Sequence, residues 1–226
     1  MGADNGQGEG GSPPLSKDRV LSHALALADT EGIDALSMRR LARELDAGAM
    51  SLYHHVSSKE TLLDGMVDIV FAEIALPRSD VDWQTAMRAR ATSARDVLAR
   101  HPWAITLMES RTTPGPANLQ HREAVTACLR KAGFSVRMAT HANWLLDSYV
   151  YGFALQQASL PFAGPKELAE MTHEVFLPQL PPEQYPYLYE TAAELMRDNY
   201  DPADEFAYGL ELVLDALERD RLSAEP

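Results

Sequence analysis

Apolar positions along most of this chain recur at the three-and-four spacing of an α-helix. No alternating run of β-branched residues is bounded by hairpin turns, so strands are not expected. Val20, Ala24, Leu27 and Ala28 fall on one helical face, with Gly32 just past its end. Ser37 reads as an N-cap, and Met38, Leu41, Ala42 and Leu45 then form an amphipathic helix of about two turns. Asp46 to Gly48 interrupts it, because Asp and Gly accept the left-handed backbone of a tight turn. Ala49, Leu52 and Val56 resume the helical spacing. Ser57 with Glu60 forms the pattern of a capping box, opening a helix faced by Leu62, Met66, Ile69 and Val70 that ends before Pro77.

Beyond Asp82 the helices lengthen. Trp83, Met87, Ala91, Ala94 and Leu98 share a face that Pro102 terminates. A short helical piece, Trp103 to Ser110, leads into the loop "RTTPGPAN". Pro116 suits the first turn of a helix ending near Gly133. Ser135 caps a long helix reaching about Leu160, with Met138, Ala142, Leu145, Tyr149, Gly152 and Gln156 along one stripe. "LPFAGP" breaks it, and the proline-rich "FLPQLPPEQYP" is expected to be irregular. A helix over about Tyr187 to Arg197 follows. Asp201 and Pro202 start the last helix, faced by Phe206, Leu210, Val213, Leu214 and Leu217. The expected fold class is all-α. Residues 1–14 form a flexible tail, 15–76 a first domain and 77–226 a second.

Length and composition narrow the class. A chain of 226 residues with 46% hydrophobic content can bury a real core. No apolar run approaches the roughly 18 residues of a membrane span, and the start lacks the pattern of a secretory signal. The single cysteine, Cys128, excludes an internal disulfide, suits a reducing cytoplasm and reads as a small core hydrophobe. Neither a glycine-rich phosphate loop, a Gly-x-Ser-x-Gly elbow nor an HExxH pair is present, so an enzyme is not expected. Asp204 and Glu205 sit at a helix start, where they fit the helix dipole.

The formal charge of −13 argues against a nucleic-acid partner until it is divided along the chain. Within 37–59, Arg39, Arg40, Arg43 and Lys59 meet only Glu44 and Asp46. Two short helices around a tight turn make a helix-turn-helix, whose second helix enters the major groove. That helix spans Ala49 to His55, with Ala49, Leu52 and Val56 inward and Gly48, Met50, Ser51, Tyr53 and His54 outward. Small residues at its start let the backbone approach a duplex. Ser51 can donate to a base edge or phosphate and Met50 can touch a thymine methyl. Tyr53 and Lys59 suit phosphates, and Arg39 adds a cation beside them. The candidate DNA-binding residues are thus Arg39, Gly48, Ala49, Met50, Ser51, Tyr53, His54 and Lys59. Two short amphipathic helices also satisfy simple packing, so spacing alone leaves a helical interaction module without DNA affinity as the alternative. His54 and His55 point to different helix faces, with no further His or Cys at ligand spacing, so no metal is expected there.

The stretch "LARELDAGAMSLYHHVSSKETLLDGM" resembles the DNA-binding domain of the tetracycline repressor (TetR) family, from about Val20 to Ile74. "AGFS" and "YGLELVLDALE" extend the resemblance downstream. It implies a three-helix DNA-binding domain, a helical ligand-binding domain and a homodimer docked through the last long helices. It also implies double-stranded operator DNA as partner, with the helix of about Lys59 to Ile74 as the lever between ligand and DNA. The dimer is expected through helices 135–160 and 203–219, on the stripe Phe206, Leu210, Val213, Leu214 and Leu217.

In the tetracycline repressors themselves the resemblance implies a drug–magnesium site. The positions of its two histidines, its glutamate, its asparagine and its phenylalanine fall here at Met108, Ala75, Gln156, Arg90 and Ala94. A hard cation wants oxygen ligands, and Met108 supplies none. Tetracycline chemistry is therefore not expected, nor any cofactor. Met87, Arg90, Met108, Asn143, Trp144, Asp147 and Gln156, with Glu109 near them, fit a small, partly apolar ligand of either charge. The expected function is a cytoplasmic repressor released from a palindromic operator by that ligand. A regulator that needs no ligand, or an activator, is the alternative reading.

Overall fold

The computed structural model describes residues 14–108, 110–160, 167, 170, 177–195 and 201–223. The expected tail, the "LPFAGP" break beyond Leu160, Glu109 and the end of the helix expected to reach Arg197 lie outside them. The chain divides into two compact units, Met1–Val67 and Asp68–Pro226. Among the described residues every regular element is helical, in keeping with the all-α expectation.

The first unit holds α1 (Lys17–Glu31), α2 (Met38–Glu44), α3 (Ala49–His55) and the start of α4 (Lys59–Glu73). Ser16 caps α1 and Ser37 caps α2, each hydroxyl accepting a backbone N–H at 3.2 Å three residues on. Between α2 and α3, Asp46 takes φ +50 and the Ala47 N–H reaches back to Ala42 O at 2.9 Å. That bond closes the end of α2 and turns the chain. Val20, Ala24, Leu41, Leu52, Leu62 and Met66 make the unit's core. A Cβ on Gly65 would lie 2.7 Å from a Leu21 methyl, so the glycine lets α4 approach α1 closely. The cap of α4 differs from the expected one. Ser58, not Ser57, accepts the Thr61 N–H, at 3.1 Å, which puts Glu60 one position too early for a capping box.

The second unit contains the end of α4, then α5 (Trp83–Arg100), the single turn α6 (Ile105–Met108), α7 (Pro116–Lys131) and α8 (Val136–Ala158). After the turn Leu177–Gln179 come α9 (Pro186–Leu195) and α10 (Pro202–Ser223). Asp82 and Ser135 cap α5 and α8. The core gathers Met87, Leu98, Met108, Leu129, Phe134, Leu146 and Phe206, all fully buried. Trp83 stands edge-on to Phe134, with ring centroids 4.9 Å apart, and its Nε1–H donates to Glu218.

Two stripes differ from expectation. In α8 the inward residues are Ala139, Ala142, Leu146, Val150 and Ala154, while Leu145 is exposed. The expected stripe was displaced by one helical position, because small alanines alternate with larger side chains on both faces and hide the phase. In α10, Phe206, Leu210, Leu214 and Leu217 are buried within the chain's own core. The stripe expected to meet a partner subunit is therefore already covered. Tyr149 explains the close fit of α8 and α10: its hydroxyl donates to Phe206 O at 2.8 Å, and a Cβ on Gly209 would overlap that hydroxyl.

Candidate DNA interface and ligand cavity

In the first unit, α3 is a seven-residue helix held by one inward anchor, Leu52, fully buried, with Val56 buried just past its end. Gly48, Met50, Ser51, Tyr53, His54 and Lys59 are all exposed. Ala49 is exposed too, so it belongs to the outward face and not to the packing face the spacing assigned it. Met50 is 75% exposed, the most outward of the large apolar side chains on α3. Nothing occupies the space where a Gly48 side chain would be, so α3 presents bare backbone at its start.

The basic residues flanking α3 divide into two groups. Arg40 is held by two carboxylates: both of its terminal nitrogens bond Glu31, and Nε donates to Glu44 at 2.7 Å. Arg40 in turn holds the Glu44 carboxyl below its usual range. Among the described residues no ion pair engages Arg39, Arg43 or Lys59, and Arg39 and Arg43 line a shallow open hollow with Ser37. Three cations are thus left to water or to an anion, beside a helix that offers small and polar groups.

In the second unit the polar residues run inward. Arg90 on α5 is only 2% exposed. Its Nη2 donates to Asp147 of α8 at 2.7 Å, and its Nε donates to His121 Nε2 of α7 at 3.2 Å. Because Nε2 accepts, His121 is neutral with its proton on Nδ1. Burial, and then the charges of Arg90 and Arg122, push its pKa down to about 3. One turn earlier on α7, Asn118 accepts from Arg122 Nε at 2.8 Å and donates its N–H to Asp68 at 2.9 Å. Asn143 of α8 donates to Thr126 at 3.3 Å. Arg90, His121, Arg122, Val125, Thr126, Asn143 and Asp147 line a cavity of about 220 Å³ between α5, α7 and α8. Two buried polar atoms beside it, Arg90 Nη1 and Asn143 Oδ1, have no partner among the described residues.

Of the expected ligand residues, Arg90, Asn143 and Asp147 come together at this cavity. Trp144 is 72% exposed and edges an adjoining hollow. Met87 and Met108 are sealed in the core, and Gln156 is on the surface. Its neighbour Gln157 lines a separate hollow with Ala99, Pro102 and Ala154. Sequence reasoning missed Asn118, His121, Arg122 and Thr126. Asn118, His121 and Val125 share the buried stripe of α7 with Leu129, so the available signal was polar residues at core spacing. Among the described residues no three His, Cys, Asp or Glu converge as a metal site.

A short helix presenting polar groups and bare backbone on a three-helix unit, followed by a larger helical unit, is the arrangement of a helix-turn-helix DNA-binding regulator. Residues 20–66 match the bacterial regulatory proteins of the tetR family, and residues 76–221 match the tetracyclin repressor-like C-terminal domain. The chain belongs to the TetR family of transcriptional regulators. It is 35% identical over 216 residues to the HTH-type transcriptional repressor DrrR1 of Streptomyces coeruleorubidus, covering 92% of this chain and 79% of that one. It is 28% identical over 211 residues to the class A tetracycline repressor of Escherichia coli, covering 92% and 93%. The structure of Streptomyces coelicolor ActR in complex with actinorhodin matches with TM-score 0.75 and 31% identity, over 92% of this chain and 99% of that one.

Proposed function

We propose that this chain is a cytoplasmic transcriptional repressor that holds a palindromic operator as a homodimer and is released by a small organic ligand. Residues 15–76 read DNA, and residues 77–226 bind the ligand and the second copy. The observation that carries the reading is the pairing of an outward α3 with three cations, Arg39, Arg43 and Lys59, that no ion pair engages among the described residues. DNA is a polyanion, and such cations fix a protein on its phosphates while the exposed side chains of α3 meet base edges. Kinship with DrrR1, named as a repressor, and with ActR, solved with actinorhodin, supports repression relieved by a ligand.

The inducer acts without magnesium, since Met108 is sulfur-bearing and buried where the tetracycline repressors use a histidine. The second copy docks on the outer faces of α8 and α10. Leu145, Tyr208 and Leu212 are exposed there at 44%, 69% and 55%. Apolar surface of this kind gains by burial against an identical face. The test is selection of bound sites from random duplex DNA by the full chain. Enrichment of a two-fold symmetric sequence is expected, and no enrichment at low salt would overturn the reading.

A further inference from the structure

Resting on the DNA-binding reading above, we infer that Asp68 on α4 is a positioning residue for operator binding: it latches α4, the helix that carries Lys59, to the start of α7. Ser16, Ser37, Asp82 and Ser135 each cap the helix that follows them, whereas α3 and α7 begin at glycines, Gly48 and Gly115. The two glycines differ in what stands beside them. Among the described residues nothing lies within 4 Å of a Cβ placed on Gly48, while one placed on Gly115 would overlap the Asp68 carboxyl group. Gly115 has ordinary extended backbone, φ −78 and ψ 173, so only the absence of a side chain matters there. The Asp68 carboxylate fills that space and accepts the Asn118 N–H at 2.9 Å, the bond an N-cap side chain would otherwise make. Asn118 is buried, so losing the carboxylate would leave a desolvated donor.

A cap supplied by another helix joins two helices where a local one would join none. α4 runs unbroken from Lys59 to Glu73, while the two compact units divide between Val67 and Asp68, so this helix belongs to both. Its first part carries Lys59 and buries Leu62 and Met66 in the core of the first unit. Its second part is held on α7 at two points of matching spacing. Asp68 meets Asn118, and one turn further on Phe71 meets His121, with ring centroids 5.7 Å apart. A ring contact tolerates sliding, but a charge-assisted bond to one N–H has a single register. Opening the latch lets α4 shift and reduces the share of dimers that hold both reading helices at the operator's spacing. Such a population effect lowers operator affinity while leaving the number of phosphate contacts, and hence the salt slope, unchanged.

Fluorescence anisotropy of the full chain, with the duplex recovered by site selection as probe, tests this. On charge alone, removing an acidic residue from this acidic protein raises its affinity for DNA. The latch predicts the reverse for Asp68→Ala, a loss of about tenfold with an unchanged salt slope. Asp68→Asn removes the same charge but keeps an oxygen for the Asn118 N–H, and should bind no more weakly than wild type. Asp68→Ala combined with Gly115→Ser gives α7 a cap of its own. Its urea midpoint should return to the wild-type value while operator affinity stays low, and it decides the matter if Asp68→Ala alone does not fold. Hydrogen exchange reads the latch without DNA: in the double variant the Asn118 amide should regain its protection, and the amides of residues 70–73 should exchange about tenfold faster than in wild type. Operator affinity unchanged or raised in Asp68→Ala, equal losses in Asp68→Ala and Asp68→Asn, affinity restored together with the cap, or α4 amides unaffected in the double variant would each overturn the inference. No site selected at low salt would overturn the repressor reading alone, since the exchange of α4 decides the latch by itself.

Discussion

In the first unit the residues with chemistry to offer, Arg39, Met50, Ser51, Tyr53, His54 and Lys59, stand in solvent on a scaffold of buried leucines. In the second, Arg90, Asn118 and His121 are each at most 5% exposed and bond to one another or to Asp147, Arg122 and Asp68. The difference follows from the size of what each unit meets. A duplex comes to the protein surface, and its phosphates reward exposed cations without requiring them to leave water. A small molecule must be drawn out of water, so the groups that recognise it are desolvated beforehand and kept in place by their own hydrogen bonds. The first arrangement is sensitive to salt, the second to packing and to protonation.

The contrast can be broken most sharply at the scaffold. Leu52 is fully buried beneath α3, and Leu52→Ala should destabilise the first unit by about 3 kcal/mol and abolish DNA binding while leaving dimerisation through α8 and α10 intact. Loss of both, read by DNA titration and sedimentation, would deny the units their separate roles. Next in size is Gly209→Ala, which forces a methyl onto the Tyr149 hydroxyl and should cost about 2 kcal/mol by denaturant unfolding. Dimerisation should weaken along with it, because α8 and α10 carry the proposed docking face.

Protonation sharpens the comparison further. His121 binds its proton far less readily in the fold than in the unfolded chain, where its pKa is near the ordinary 6.5. The unfolded state therefore takes up the extra proton, and the stability present above about pH 6.5 is lost as pH falls towards about 3. The slope contributed by this one group approaches about 1.4 kcal/mol per pH unit. His121→Gln should flatten stability between pH 6.5 and 4.5, read from urea midpoints; an unchanged slope would mean that the histidine titrates normally. The smallest effect belongs to the turn. Asp46 holds φ +50, a conformation glycine reaches without a Cβ penalty, so Asp46→Gly should stabilise the chain by about 1 kcal/mol and leave DNA affinity unchanged.

These two arrangements also differ in how far they could be read from sequence. The reading helix is local: Leu52, the cap at Ser37 and the turn at Asp46 all act within a few residues, and the spacing located them, while the cap at Ser16 was not picked out. Errors there were of one position, Ser57 for Ser58 and Ala49 inward for outward, because a short helix fixes its phase with few apolar residues. The cavity is assembled from α5, α7 and α8, and Arg90 meets partners 31 and 57 residues away. Arg90 and Asp147 were picked out singly, but no spacing joins them to His121. The buried stripe of α10 was legible as apolar. What covers it was not, since an apolar face reads alike whether it meets its own core or a second chain.

The most direct test of the central claim, that exposed cations beside α3 carry DNA binding while engaged ones do not, is the salt dependence of affinity for the selected operator. Fluorescence anisotropy of the full chain across a potassium chloride series gives the slope of log K against log salt for wild type, Lys59→Ala, Arg39→Gln and Arg40→Gln. Each phosphate contact contributes about 0.9 to that slope. Lys59→Ala and Arg39→Gln should each flatten it by about 1, and Arg40→Gln, whose guanidinium is held by Glu31 and Glu44, should leave it unchanged. A slope unmoved by Lys59→Ala and Arg39→Gln, or flattened by Arg40→Gln alone, would contradict the account.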